Sequence, residues 1–143
     1  MQGTSHFRGL AHIAIQTKDL DASIEFYRKH LDFALAYRTT VAVEGGPEGF
    51  FPVQYALVER GSCVLELLQP ADTGMVKPGQ EGIVSHFALD VDDLDAVVAK
   101  LKEKGLLERN AAPDAFPDLL KGCRSISVTG PSGERVELFE SRR

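Results

Sequence analysis

Apolar positions along this chain follow two rhythms, a strand-like period of two and a helix-like period of about 3.6, and the pair occurs twice. Over residues 9–16, Ile13 and Ile15 share one face while His12 and Ala14 share the other, the alternation of a strand. Asp19 then precedes Leu20, Ile24, Tyr27 and Leu31, the spacing of an amphipathic helix with an aspartate cap. Strand patterns follow near residues 34–43, 51–60 and 62–69, with a glycine-rich loop at 44–49 and a tight turn at Arg60-Gly61-Ser62. The polar stretch 70–82 reads as a linker.

The second run begins with a strand at 83–91 and a helix striped by Leu94, Val97, Val98 and Leu101 that ends before Gly105. Leu106 to Gly122, with Pro113 and Pro117, is expected to be irregular and to cover a site. Strands near 123–129 and 134–140 close the run across Gly130-Pro131-Ser132-Gly133. The order is strand, helix, three strands, twice over: module one at about 9–69 and module two at about 83–140. Overlaid at an offset of 74, His12–Ala22 and His86–Ala96 agree at six of eleven positions. Unrelated segments of ordinary composition would share roughly one. The expected class is α+β.

Composition narrows the function. Apolar and charged fractions of 43% and 26% are those of a soluble globular protein. Sixteen basic against twenty-one acidic residues leave a charge of −5, which argues against a nucleic-acid footprint. No apolar run reaches the length of a membrane span, and Met1 to Arg8 lacks a signal core, so a cytoplasmic location is expected. Cys63 and Cys123 have neither disulfide nor zinc-knuckle spacing; Cys63 is expected to be buried in a strand and Cys123 to sit at a loop–strand junction. His30, near a helix end, is expected at the surface.

The last strands of the modules also correspond. In Val64-Leu65-Glu66-Leu67-Leu68 and Arg135-Val136-Glu137-Leu138-Phe139 the apolar alternation turns each glutamate away from the helix, onto the face of His12 and His86. A carboxylate half-buried in a strand is costly unless something positive meets it. Two imidazoles and two carboxylates converging on one divalent cation would meet that need; such donors suit zinc or nickel, and also cobalt, manganese or iron. Ala14 and Ala88, two residues after each histidine, leave room beside it. Arg38, Lys77, Lys121 and Arg124 are candidate holders of a substrate anion, Arg124 foremost.

Leu10-Ala11-His12-Ile13-Ala14-Ile15, Ser23-Ile24-Glu25-Phe26-Tyr27, Leu65-Glu66-Leu67-Leu68, Ser85-His86-Phe87-Ala88-Leu89-Asp90-Val91 and Gly130-Pro131-Ser132-Gly133 resemble the vicinal-oxygen-chelate superfamily of glyoxalase I, methylmalonyl-CoA epimerase, extradiol dioxygenases and bleomycin or fosfomycin resistance proteins. The resemblance spans about Leu10 to Glu140 and implies one domain whose two tandem βαβββ modules form a curved, cup-shaped mixed sheet with the helices outside. It places metal ligands at His12, Glu66, His86 and Glu137, with Glu137, and Glu66 from the other side, as candidate catalytic bases. The implied chemistry is proton transfer next to a carbonyl through an enediolate steadied by a Lewis-acidic metal. Gln16 stands at a substrate-binding position where glutathione-using relatives carry arginine, and Pro70 where they carry asparagine. Glu66-Leu67-Leu68-Gln69-Pro70 looks like the epimerase branch, whereas Gly130-Pro131-Ser132-Gly133-Glu134 looks like the glyoxalase turn. The implied substrate is a small thiol adduct or acyl-thioester, and the implied assembly a homodimer. A lactoylglutathione lyase-like activity leads, with an epimerase-like racemase and a non-catalytic drug-binding protein as alternatives; an iron(II) oxygenase fits four ligands less well.

Overall fold

The computed structural model describes residue 6 and residues 10–44, 50–75 and 86–142. The chain divides into two compact units, 1–76 and 77–143, and each is described by itself. The first unit contains β1 (Ile13–Gln16), α1 (Leu20–Leu31), β2 (Ala34–Glu44), β3 (Phe50–Arg60) and β4 (Cys63–Pro70). The second contains β5 (Phe87–Asp90), α2 (Leu94–Glu103), β6 (Asp114–Phe116), β7 (Cys123–Thr129) and β8 (Arg135–Ser141). Their sheets have the same four-stranded order, β1-β4-β3-β2 and β5-β8-β7-β6. In each, the first strand runs parallel to the last and the other pairings are antiparallel. The class is α+β, as expected, with a four-stranded mixed sheet in each unit.

Apolar residues of alternating parity build each core. Ile15, Ala56, Val58, Leu65 and Leu67 are buried on the sheet face that meets α1, opposite Leu20, Ile24, Phe26 and Tyr27 of the helix. In the second unit Val128, Val136 and Leu138 are buried with Leu94, Val98 and Leu101. Each of the valine, leucine, isoleucine and phenylalanine side chains contributes about 1.5–3 kcal/mol on leaving water.

The helix starts are tied to the sheets by a repeated device. Asp19 caps α1, its Oδ1 accepting from the Ala22 N–H, while the Leu20 N–H donates to Oε1 of Gln69 at 2.7 Å. Asp93 caps α2 through the Ala96 N–H, and the Leu94 N–H donates to Oε2 of Glu140, again at 2.7 Å. A side chain from the sheet thus satisfies a helix N–H that has no partner within the helix. Because Gln69 and Glu140 lie three residues after Glu66 and Glu137, strand alternation puts them on the helix face and the glutamates on the other.

Several expectations are corrected. The segment Leu106 to Gly122 is not wholly irregular, since Asp114–Phe116 adds to β7 as an edge strand. Its short, exposed Asp-Ala-Phe run carries too little alternation to announce itself. Pro70 ends β4 instead of opening the linker, and a 3-10 turn follows at Thr73–Met75. Cys63 is only half-buried, whereas Cys123, at the loop–strand junction that opens β7 as expected, is buried. His30 is half-buried against the ring of Phe26, at 5.7 Å between centroids, rather than fully at the surface. The loop 45–49, the second-strand positions 83–85 and most of the linker lie outside the described residues. Among those described, no helix is long and apolar enough to cross a membrane.

Candidate metal centre

Parallel pairing sets Ala14 beside Glu66 and Ala88 beside Glu137. Each histidine lies two residues before its alanine, so its ring reaches the glutamate diagonally along the face turned away from the helix. His12 Nε2 is 3.2 Å from Glu66 Oε2, and His86 Nε2 is 2.8 Å from Glu137 Oε2. The carboxylates are largely covered, with 17% and 16% of their side-chain surface exposed, while the histidine side chains keep 45% and 33%. An alanine at the position between them leaves space that a larger residue would fill.

The structure therefore brings the four predicted ligands together as two pairs, one in each unit. Among the described residues, no group of three or more His, Cys, Asp or Glu side chains is gathered at a single point. The donor chemistry fits a borderline divalent cation: each pair offers one imidazole nitrogen and one carboxylate oxygen a hydrogen bond's length apart.

The units differ in what else touches the glutamate. The Tyr55 hydroxyl donates to Glu66 Oε2 at 3.1 Å, the same oxygen that faces His12. Its ring packs edge to face on Tyr37, 6.1 Å between centroids. Burial, and then the hydrogen bond to Glu66, push the Tyr55 hydroxyl above its ordinary range, which keeps it a donor at neutral pH. No sequence rhythm marks Tyr55: its role depends on the register that pairs Leu57 with Glu66 and Tyr55 with Leu68.

Gln16 is exposed, on the same face of β1 as Ala14 and two residues further along. Arg124 lies elsewhere. It pairs with Glu140 in the ladder, on the helix face, and its guanidinium bonds Asp95 at the start of α2 and Glu140 on β8, both at 3.0 Å. Those bonds raise the Arg124 pKa, Asp95 leading; Arg124 holds the Asp95 carboxyl below its usual range, and the Leu94 N–H and then Arg124 do the same for Glu140. β7 turns it toward α2 and away from the face of Glu137. Arg38 has the same fate in the first unit, paired to Asp21 of α1 at 2.6 Å. Lys121 is exposed in a left-handed turn, and Lys77 lies outside the described residues.

With this geometry in place, similarity to known proteins is informative. Residues 9–138 match the Glyoxalase/Bleomycin resistance protein/Dioxygenase superfamily, and the chain belongs to that superfamily. Protein YwbC of Bacillus subtilis is 28% identical over 130 residues, 90% of this chain and 94% of that protein. A lactoylglutathione lyase of Haemophilus influenzae is 25% identical over 135 residues, 93% of each. The mouse mitochondrial methylmalonyl-CoA epimerase is 28% identical over 100 residues, 66% of this chain and 52% of that protein. Among solved structures, the trypanothione-dependent glyoxalase I of Leishmania major has the same fold, with a TM-score of 0.65 at 23% identity over 95% of this chain and 88% of that one.

Proposed function

We propose that this protein is a divalent-metal-dependent lyase or isomerase of the glyoxalase I type, moving a proton next to a carbonyl in a small thiol adduct or acyl-thioester. His12, Glu66, His86 and Glu137 would hold one cation, zinc or nickel before cobalt, manganese or iron. The observation that carries the reading is the doubled histidine–glutamate pair, at 3.2 and 2.8 Å, on corresponding strands of a chain from this superfamily. A single such pair is an ordinary structural contact. Its repetition, with an alanine opposite each carboxylate, supports a site built twice.

A bound cation supplies Lewis acidity at adjacent substrate oxygens. The chain's own part is positioning and proton transfer. Glu137 takes the proton from the carbon beside the carbonyl and returns it to the neighbouring carbon in a lyase, whereas in an epimerase Glu66, from the other side, would give a proton to the opposite face of the same carbon. General-base assistance of this kind is worth about a hundred- to ten-thousand-fold in rate. In the lyase Glu66 and the two histidines stay in place meanwhile. A homodimer is proposed, and the two pairs are proposed to meet either within one chain or across two copies.

Metal analysis of protein purified without chelator tests the reading, with one equivalent of metal per four-ligand site expected. His12→Ala and His86→Ala should each lose the whole equivalent, and a metal-free wild type would instead support the binding-protein alternative. Exchange of substrate hydrogen in deuterated water then separates substrates. Turnover of hemithioacetals supports the lyase, and turnover of methylmalonyl-CoA the epimerase reading that the mouse relative suggests. Exchange of neither, in metal-loaded protein, overturns both.

A further inference from the structure

The two histidine–glutamate pairs are close copies in backbone, and among the described residues the two glutamates differ in what meets them from the neighbouring strand. Glu66 is approached diagonally from both neighbouring strands, by His12 ahead of β1 and by Tyr55 on β3. Glu137 is approached in the same way by His86 from the β5 side. On its other side, β7 offers Ser125 at the position that Tyr55 holds in the first unit: Tyr55 is two residues before the partner of Glu66, and Ser125 two before the partner of Glu137. Diagonal neighbours on a sheet face sit about 7–8 Å apart, a span a phenol bridges and a serine hydroxyl does not.

We propose that Tyr55 is a positioning residue that fixes Glu66 as the stationary carboxylate ligand, leaving Glu137 as the carboxylate free to move with the proton. The inference rests on the metal-centre reading above and assigns the unequal duties of two otherwise matched glutamates. When His12 turns its Nε2 to a cation it gives up Glu66, and the tyrosine hydroxyl remains to hold the carboxylate in place. The edge-to-face contact with Tyr37 holds the Tyr55 ring in turn, so the donor is itself anchored. Partners of metal ligands that orient them in this way typically account for a ten- to hundred-fold share of metal affinity.

The chain contains no tryptophan and only three tyrosines, so its ultraviolet emission reports directly on them. A tyrosine hydrogen-bonded to a carboxylate is quenched. Titrating metal-stripped wild type with zinc should change tyrosine emission as the cation draws charge from the Glu66 carboxylate that Tyr55 holds, and calorimetry gives the affinity alongside. Tyr55→Phe should bind zinc about 10- to 100-fold more weakly and lose the emission change. Ser125→Ala, at the matching position, should bind as the wild type does. A second comparison does not depend on how Tyr55→Phe folds: without metal, Glu66→Gln should raise emission and Glu137→Gln should leave it unchanged. Equal zinc affinity in Tyr55→Phe and wild type, or equal emission in the two glutamine variants, overturns the assignment. Absence of any zinc binding by the wild type is a different failure, which removes the metal-centre reading and this inference with it.

Discussion

The first unit meets the first N–H of its helix with a neutral amide and the second with a carboxylate, although the backbone devices are the same. At the start of α1 the sheet offers the amide of Gln69, and at the start of α2 the carboxylate of Glu140. Gln54 is the ladder partner of Gln69, where Arg124 is the partner of Glu140. Asp21 and Asp95 occupy matching places in the two helices, and each finds an arginine, from β2 in one unit and from β7 in the other. Beneath α1, the Ser23 hydroxyl donates to Thr17 Oγ1 at 2.8 Å in a buried contact, and the corresponding residues of the second unit are Val91 and Val97. Duplication has kept strand register and helix capping while changing the polarity of the groups that use them. The histidine–glutamate pairs are the same in both units where the supports around them differ.

The comparison can be broken most visibly at the glutamates. Glu137→Gln is expected to lower substrate hydrogen exchange by about a hundred- to ten-thousand-fold at saturating metal. Glu66→Gln should act mainly through weaker metal binding, so that part of its loss is recovered by added zinc. Equal, unrecoverable losses in both would make the units interchangeable.

Core substitutions come next in size. Leu67 of β4 and Leu138 of β8 are both fully enclosed at matching positions, and changing either to alanine should cost about 2–5 kcal/mol in urea unfolding. A much smaller loss for Leu138→Ala would mean that the second sheet packs its helix less tightly than the first.

The buried hydroxyl pair gives a sharper test of the exchange between polar and apolar supports. Thr17→Val leaves both the Ser23 hydroxyl and the Asp19 N–H without their Thr17 acceptor, a loss of about 1–3 kcal/mol. Adding Ser23→Val, which brings the pair to the composition of the second unit, should restore part of it. A double variant no better than the single one would show that the valines of the second unit depend on a different surrounding.

The smallest effect is one of pH. The Leu94 N–H and then Arg124 hold the Glu140 carboxyl below its ordinary range, so its contribution is complete above the unfolded glutamate value of about 4.3. It is lost as the pH falls through the lowered folded value. Gln69 does not titrate. Acid should therefore loosen the start of α2 before that of α1, as amide exchange across Leu94–Val98 and Leu20–Ile24 would reveal. Glu140→Gln should remove the difference, and exchange rates that rise together in wild type would contradict it.

Much of this could be read from the chain. Asp19 and Asp93 were legible as caps because capping needs only a short polar side chain next to a helical stripe. The two faces of β4 and β8 were legible because strand alternation is strictly periodic. That parity placed Glu66 and Glu137 opposite the buried leucines, and repetition marked His12 and His86 as their companions. The brief strand Asp114–Phe116 was not legible, since three exposed residues carry no rhythm of their own. The partners of Arg124 were not legible, because a cation at a strand start looks the same whether the strand turns it toward a ligand or toward a helix.

By itself, then, the sequence determined the order of elements, the burial parity of each strand and the doubling of a histidine–glutamate pair, all properties of neighbours along the chain. Only the tertiary structure decided which partner each polar group met: Tyr55 with Glu66, Arg124 with Asp95 and Glu140, Gln69 with the first turn of α1. Those choices follow from strand register, and a shift of two residues in register would leave every hydrophobic rhythm intact while separating each of these pairs.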